Sequence, residues 1–359
     1  APSLGVALAL FLAKPLAFLG AWRVISLLTN RTSVLVVGGL AFAFWPTLSA
    51  AAEEGRLGTL LASVLLPWFA YTLARLLRLG DAARNSTQTW TWLASSALLA
   101  AAISAGAPSL TPVVAAVILL LGVYRWRRLG YLIWLPVPLI VLWAPLTVFA
   151  VLGVEHWAGL FLDPGVPQDS QAPQLWQWLL GGNAQLGLSL ELGWAAAVTV
   201  LLALLAPLTR RALPALWLWL ATALALAAAW AVGQVEFINN SPLGTAPEFV
   251  TGSGLAQGSL AGLLLAVLAA MTLDALANRW RAVLASVWVL ATAALGLQFV
   301  LITPALSWGP AVAQPAVVQL ASATGLNLLT LSPTDPSSAE AGFRVSLQSA
   351  AGVHLEDLS

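Results

Sequence analysis

The sequence predicts an all-α polytopic integral membrane protein of about ten transmembrane helices, followed by the start of a small extracytoplasmic α/β or β domain. Three observations predict it. Of 359 residues, 60% are hydrophobic and 8% charged, whereas soluble domains carry about a quarter charged residues; the mean hydropathy is +0.89. Apolar segments repeatedly approach the roughly 20 residues that cross a bilayer as a helix. The 18 tryptophans fit as well, because indole rings favour the boundary between headgroups and hydrocarbon. Outer-membrane barrels would instead show alternating segments of about ten residues, which the sequence lacks.

The spans fall, in order, at about 4–28, 33–50, 58–77, 88–106, 110–124, 130–153, 188–208, 213–233, 258–276 and 282–303. The fifth is short and the fourth is rich in Ser and Thr, so the two are expected to form a tight hairpin turning at "GAPSLTP". The membrane unit thus covers 1–303, and 304–359 forms an extracytoplasmic C-terminal segment. There "LNLLTLSP" and "GFRVSLQS" read as short strands around a Pro, Ser and Asp turn. Two strands alone are marginal in water, so this segment reads as the start of a domain that breaks off at Ser359.

Arginine placement orients the spans. Arg23 and Arg31, then Arg75, Arg78 and Arg84, then Arg125, Arg127 and Arg128, then Arg210 and Arg211, then Arg279 and Arg281 all follow odd-numbered spans. If all ten cross, these loops share one side, which the positive-inside rule makes cytoplasmic. The other side holds Arg56 and Arg344 with most of the acids. The longer outward segments are about 154–187, 234–257 and the tail; Trp157, Trp176 and Trp178 suggest that the first lies along the interface.

Without cysteine, a disulfide, a thiolate nucleophile and a cysteine-bound metal are excluded. No repeat of fixed period and no paired, Gly/Pro-interrupted spans point to an inverted-repeat transporter. "TNRTS" and "RNSTQ" match a glycosylation pattern but fall on the cytoplasmic side. Nucleic-acid binding is not expected, because the arginines are split among short inner loops where anionic lipid accounts for them. A start at Ala1, directly in apolar sequence and without a clear signal peptide, suggests a fragment or a processed chain.

"FAFWPTLSAAAEEGRLGTLLASVLLPWFAYTLARLLR", "LIWLPVPLIVLWAPLTVFAVL", "TAPEFVTGSGLAQGSLAGLLLAVLAAMTLDAL" and the tail "NLLTLSPTD…GFRVSLQSAAGVHLEDLS" resemble the membrane portion of large actinobacterial family-2 glycosyltransferases. In that family a soluble nucleotide-sugar-binding domain precedes the membrane part; this chain has neither its DxD-type metal pair nor its strand–helix pattern. The membrane part is also similar to C-type (GT-C) glycosyltransferases, which use polyprenyl-phosphate sugars and an outward-facing acid. The resemblance implies glycan assembly at the cell envelope. It leaves the cofactor unknown: this segment requires none, and any divalent metal belongs to the absent transferase domain.

Four constellations can carry such chemistry. Glu53 and Glu54 are the catalytic candidates: an outward carboxylate can deprotonate an acceptor hydroxyl, and Arg56 can hold a lipid phosphate. Structurally, the same acids favour the dipole of the helix that follows and pair with Arg56. Glu155 and His156, with Asp163, can serve acid–base work or substrate binding; neighbours in sequence face different ways, and a histidine-based metal site is not expected. Glu236, Asn239, Asn240 and Glu248, interleaved with Phe237 and Phe249, offer the hydroxyl partners and apolar plates a sugar needs, as do ordinary outward loops. Lys14 sits within the first span, where an unpaired lysine costs about 2.5–3.5 kcal/mol; it should meet an acid, a wet cavity or a lipid phosphate, or else snorkel. Asp274 is expected to pair with Arg279, five residues on, or with arginines of other loops.

The expected function is therefore the membrane module of an envelope glycosyltransferase that handles a polyprenyl- or lipid-linked sugar or acceptor at the outer face of the plasma membrane. The alternatives are a lipid or glycan translocator and a non-catalytic anchor or scaffold. The partners are membrane lipids, a lipid-linked sugar or glycan acceptor and other membrane proteins, with no nucleic acid.

Overall fold

The computed structural model describes residues 2–53, 55–79, 87–124, 132–152, 163, 174–180, 190–234, 236–239, 248–251, 253–276, 278–302, 328–333, 343–348 and 354–358. The chain divides into two compact units, Ala1–Thr303 and Pro304–Ser359. The helices of the first are α1 Pro2–Ile25, α2 Thr32–Ala43, α3 Pro46–Glu53, α4 Leu57–Leu79, α5 Thr87–Gly106, α6 Thr111–Tyr124, α7 Val137–Leu152, α8 Leu175–Leu179, α9 Leu190–Leu204, α10 Ala212–Gly233, α11 Leu255–Ala275 and α12 Asn278–Ile302.

Helix α11 is the axis of this unit. Nearly all of it is buried, and it packs against α2, α3, α4, α9 and α10. Its composition explains the position: Ala and Gly recur along "LAQGSLAGLLLAVLAAMTLDA", and small residues let neighbouring backbones approach where no hydrophobic effect drives association. Gly262 faces the indole of buried Trp45, whose ring would collide with an added Cβ. Around α11, one continuous core joins Ala17 and Ala21 of α1, Phe42 of α2, Leu60 of α4, Leu93 of α5 and Trp288 of α12.

The peripheral helices show the opposite face. Leu119 and Leu120 on α6, Leu224 on α10 and Leu290 on α12 are all more than 60% exposed. Apolar exposure on this scale is not sustained in water, whereas in lipid it forms the outer surface.

Two breaks in the helical pattern position polar residues. The expected span 33–50 is bent by 42° between α2 and α3. Pro46 opens α3, and a proline pushes the residue before it, here Trp45, out of the helical region while suiting the first helical position itself. At the end of α3, the Arg56 N–H donates to the Ala51 carbonyl at 2.9 Å and the Gly55 N–H to Ala52 at 3.3 Å. These are the paired bonds of a Schellman cap. Among the described residues Gly55 alone has a positive φ, +67°, a conformation glycine adopts without Cβ strain.

Among the described residues five helices are long and apolar enough to cross a membrane: Leu8–Ile25, Leu57–Leu77, Ala212–Gly233, Leu255–Ala275 and Arg279–Leu297. The bent α2–α3 pair makes six. Helices also occupy the other four expected positions, but α6, α7 and α9 have 14, 16 and 15 residues. Helix α5 has 20 residues, diluted by Thr87, Thr89, Thr91, Ser95 and Ser96. It meets α6 at a 3-10 turn, Pro108–Leu110, inside "GAPSLTP".

Between α10 and α11, β1 Glu236–Asn239 and β2 Glu248–Thr251 form an antiparallel ladder that sets Glu236 opposite Thr251 and Asn239 opposite Glu248. In the second unit, β3 Leu328–Pro333, β4 Phe343–Gln348 and β5 His354–Leu358 form an antiparallel sheet in chain order. The expected pair of strands thus gains a third, "HLEDL", joined through an irregularity at Leu347/Gln348.

Candidate functional site

Gln257 and Asp274 sit near opposite ends of α11. Seventeen residues separate them, about 25 Å at 1.5 Å per residue, a little under the roughly 30 Å of hydrocarbon. Each anchors a polar cluster.

At the Gln257 end, four segments converge. The Schellman cap of α3 delivers Arg56, which is buried at 4% exposure. The turn after α5 delivers Ser109, the first turn of α11 delivers Gln257, and Asp163 comes from the segment between α7 and α8. The backbone of Ser109 is held from both sides: its N–H donates to Asp163 Oδ1 at 2.9 Å, and its carbonyl accepts from Gln257 Nε2 at 3.0 Å. Trp178 covers the same turn of α11, lying against Gly254, where an added Cβ would collide with its ring, and against Gly258, where it would be pressed tightly.

The electrostatics single out Asp163. Burial pushes its carboxyl up from 3.8 to about 6, while hydrogen bonding by Ser109 and then the charge of Arg56 pull it down by less. Asp163 Oδ2, Gln257 Oε1, Ser253 Oγ and Trp178 Nε1 are buried and find no hydrogen-bond partner among the described residues. Buried polar atoms are almost always satisfied. This set combines acceptors and donors suited to water or to a hydroxyl-bearing ligand. An acid poised near neutrality beside unfilled acceptors can take a proton from such a hydroxyl.

At the other end, Asp274 gathers the arginine-rich loops. Its carboxylate accepts from Thr29 Oγ1 at 2.7 Å and lies 3.5 Å from Arg31 Nε and 3.7 Å from an Arg211 amine nitrogen. Arg211 also donates to the Leu28 carbonyl at 3.0 Å. The expected partner of Asp274 is thus found, on other loops.

Lys14 is held on the α2–α3 side. Its Nζ lies 3.3 Å from Ser49 Oγ and 5.0 Å from the centre of the Phe44 ring, joining mid-α1 to the α2–α3 bend. Glu53 is the last residue of α3, and Glu236, Asn239 and Glu248 lie on the β1–β2 ladder. Glu54, Glu155, His156 and Asn240 lie outside the described residues. Of the sequence candidates, then, Arg56 is brought to Asp163, and Asn239 is placed opposite Glu248. Trp176 is exposed as expected of an interfacial ring, but Trp178 is buried because Gly254 and Gly258 leave room for it.

Sequence reasoning missed Ser109 and Gln257 and grouped Asp163 with Glu155 rather than with Arg56. A usable signal existed for one of them: Gln257 is the only amide in α11. Among the described residues no three His, Asp or Glu side chains come together as a metal site would need.

A bundle of apolar helices around a small-residue axis, lipid-facing on its rim and polar at both ends, defines a helical membrane protein. The chain matches no protein-family model, no curated protein and no solved structure.

Proposed function

We propose that the chain is the membrane module of a cell-envelope glycosyltransferase that holds a polyprenyl- or lipid-linked sugar and an acceptor at the outer face of the plasma membrane. In this reading all ten helical segments belong to the membrane unit, the Asp274 end is cytoplasmic, and the C-terminal sheet belongs to an outward domain. The observation that carries the reading is Asp163, a buried acid with one oxygen held by the Ser109 N–H and the other without a hydrogen-bond partner among the described residues. The outward excess of acids and the resemblance of the sequence to glycosyltransferase membrane parts support it.

Asp163 accepts the proton of an acceptor hydroxyl as that oxygen bonds to the anomeric carbon. The bond from that carbon to the lipid phosphate breaks, and the phosphate leaves with the electron pair. Arg56 balances the leaving charge. Gln257 Oε1 and Ser253 orient sugar hydroxyls. Glu53 and Glu54, beside Arg56 in sequence, are the secondary candidates for the proton acceptor.

The test is Asp163→Asn in the full-length protein in membranes supplied with labelled polyprenyl-linked sugar. General-base loss predicts a fall in transferred label of about 10²–10⁴-fold. Undiminished transfer removes Asp163 from the chemistry, and passage of labelled lipid across the membrane without covalent transfer replaces the reading by translocation.

A further inference from the structure

The Asp274 end carries features that the transfer chemistry does not use. Two cavities open there on either side of Asp274. The larger, about 690 Å³, is lined by Leu205, Leu208, Thr209, Arg210, Arg211 and Met271 among others; the smaller, about 460 Å³, runs along Ser26–Arg31. Arg31, Arg210 and Arg211 against the single charge of Asp274 leave a surplus of two positive charges. Arg31 and Arg211 are engaged by Asp274, while Arg210 is exposed and pairs with no acid among the described residues.

The lining is half apolar, and that identifies the occupant. Leu208, at 82% exposure, is the most exposed large hydrophobic side chain among the described residues. The next turns of α10 continue the apolar surface with Leu213 and Trp217, also exposed. A soluble phosphate would use the arginines and make no contact with the leucines. A phospholipid uses both.

We propose that the larger cavity is a binding site for an anionic phospholipid, with the phosphodiester held by Arg210 and Arg211 and the acyl chains laid over Leu205 and Leu208. Such a site fixes the depth of α10 and α11 in the bilayer, because the headgroup is bound at the level where Asp274 ties these helices to α1 and α2.

The experiment reads lipid retention and not transfer, so its failure leaves the reading of Asp163 standing. The full chain is placed in nanodiscs of equal phosphatidylglycerol and phosphatidylcholine, released, and weighed by native mass spectrometry. The wild type should retain phosphatidylglycerol preferentially. Arg210→Gln should lower that retention about fivefold, the effect of one cationic side chain near an anionic lipid surface, and the Arg210→Gln/Arg211→Gln pair should lower it further. Arg279→Gln, at an exposed arginine resting on Trp280, should leave it unchanged. Arg210→Gln leaves both Asp274 ion pairs in place, so its loss is not one of folding. Equal retention of the two lipids, an equal loss in Arg279→Gln, or displacement by inorganic phosphate overturns the proposal.

Discussion

Replacing Asp163 by Asn removes a charge and little else. The amide oxygen still accepts from the Ser109 N–H, and the volume is unchanged. The magnitude follows from the raised carboxyl. A rise from 3.8 to about 6 corresponds to about 3 kcal/mol at 1.36 kcal/mol per pH unit. The sign follows from proton linkage. Between about pH 4 and 6 the folded chain holds this proton and the unfolded chain has lost it, so stability falls as pH rises. Below about pH 4 the contribution is fully present, and above about pH 6 it is gone. The wild type should therefore lose about 2 kcal/mol relative to Asp163→Asn between pH 4 and pH 7.5, since part of the loss has already occurred at pH 4. Tryptophan-fluorescence unfolding of both proteins in one detergent, at both pH values, measures this difference of differences and cancels the other titrating groups. The variant should be the more stable protein near neutrality and the inactive one, the trade expected where a functional site stores a destabilised group. A gap between the two proteins that is the same at both pH values refutes the assignment of a buried, proton-holding carboxyl.

Three further outcomes are expected. Gly55→Ala puts a Cβ on a residue at φ +67°, which should cost about 1 kcal/mol; it should also lower transfer by displacing Arg56, read as activity against thermal stability. Gly262→Val drives a side chain into the Trp45 ring; overpacking of about 1–3 kcal/mol should lower the unfolding temperature and shift tryptophan fluorescence. Asp274→Asn releases Arg31 and Arg211, whose side chains are nearly half exposed, so the loss should be within about 1 kcal/mol per pair and shrink in high salt, as unfolding at two ionic strengths will show.

The apolar runs made the helices legible, because lipid leaves a spanning segment few alternatives to a helix. Their lengths were less legible. The expected span 130–153 holds turn and bend residues at 133–136, and α7 runs only from Val137. The bend at Trp45 could be read from Pro46, and the turn at Gly55 from the glycine before Arg56. The third C-terminal strand, "HLEDL", lacks the β-branched and aromatic residues that mark strands and exists by pairing with β4.

The site was legible only in part because burial, not residue type, selects its members. The segments expected to face outward hold several acids that look alike in one dimension. Asp163 is drawn against the Ser109 N–H, a contact 54 residues away in sequence that no local pattern announces. Gln257 reads as a helix surface residue until α11 is known to be the buried axis.

The central claim is that the two polar clusters of α11 open on opposite sides of a membrane. The chain has no cysteine, so single introduced thiols report cleanly. Trp176→Cys and Arg210→Cys both replace exposed side chains, one near each cluster. In intact right-side-out cells, an impermeant maleimide should label the Trp176→Cys protein at once and the Arg210→Cys protein only after permeabilisation. Labelling of both before permeabilisation, or of neither, contradicts the account.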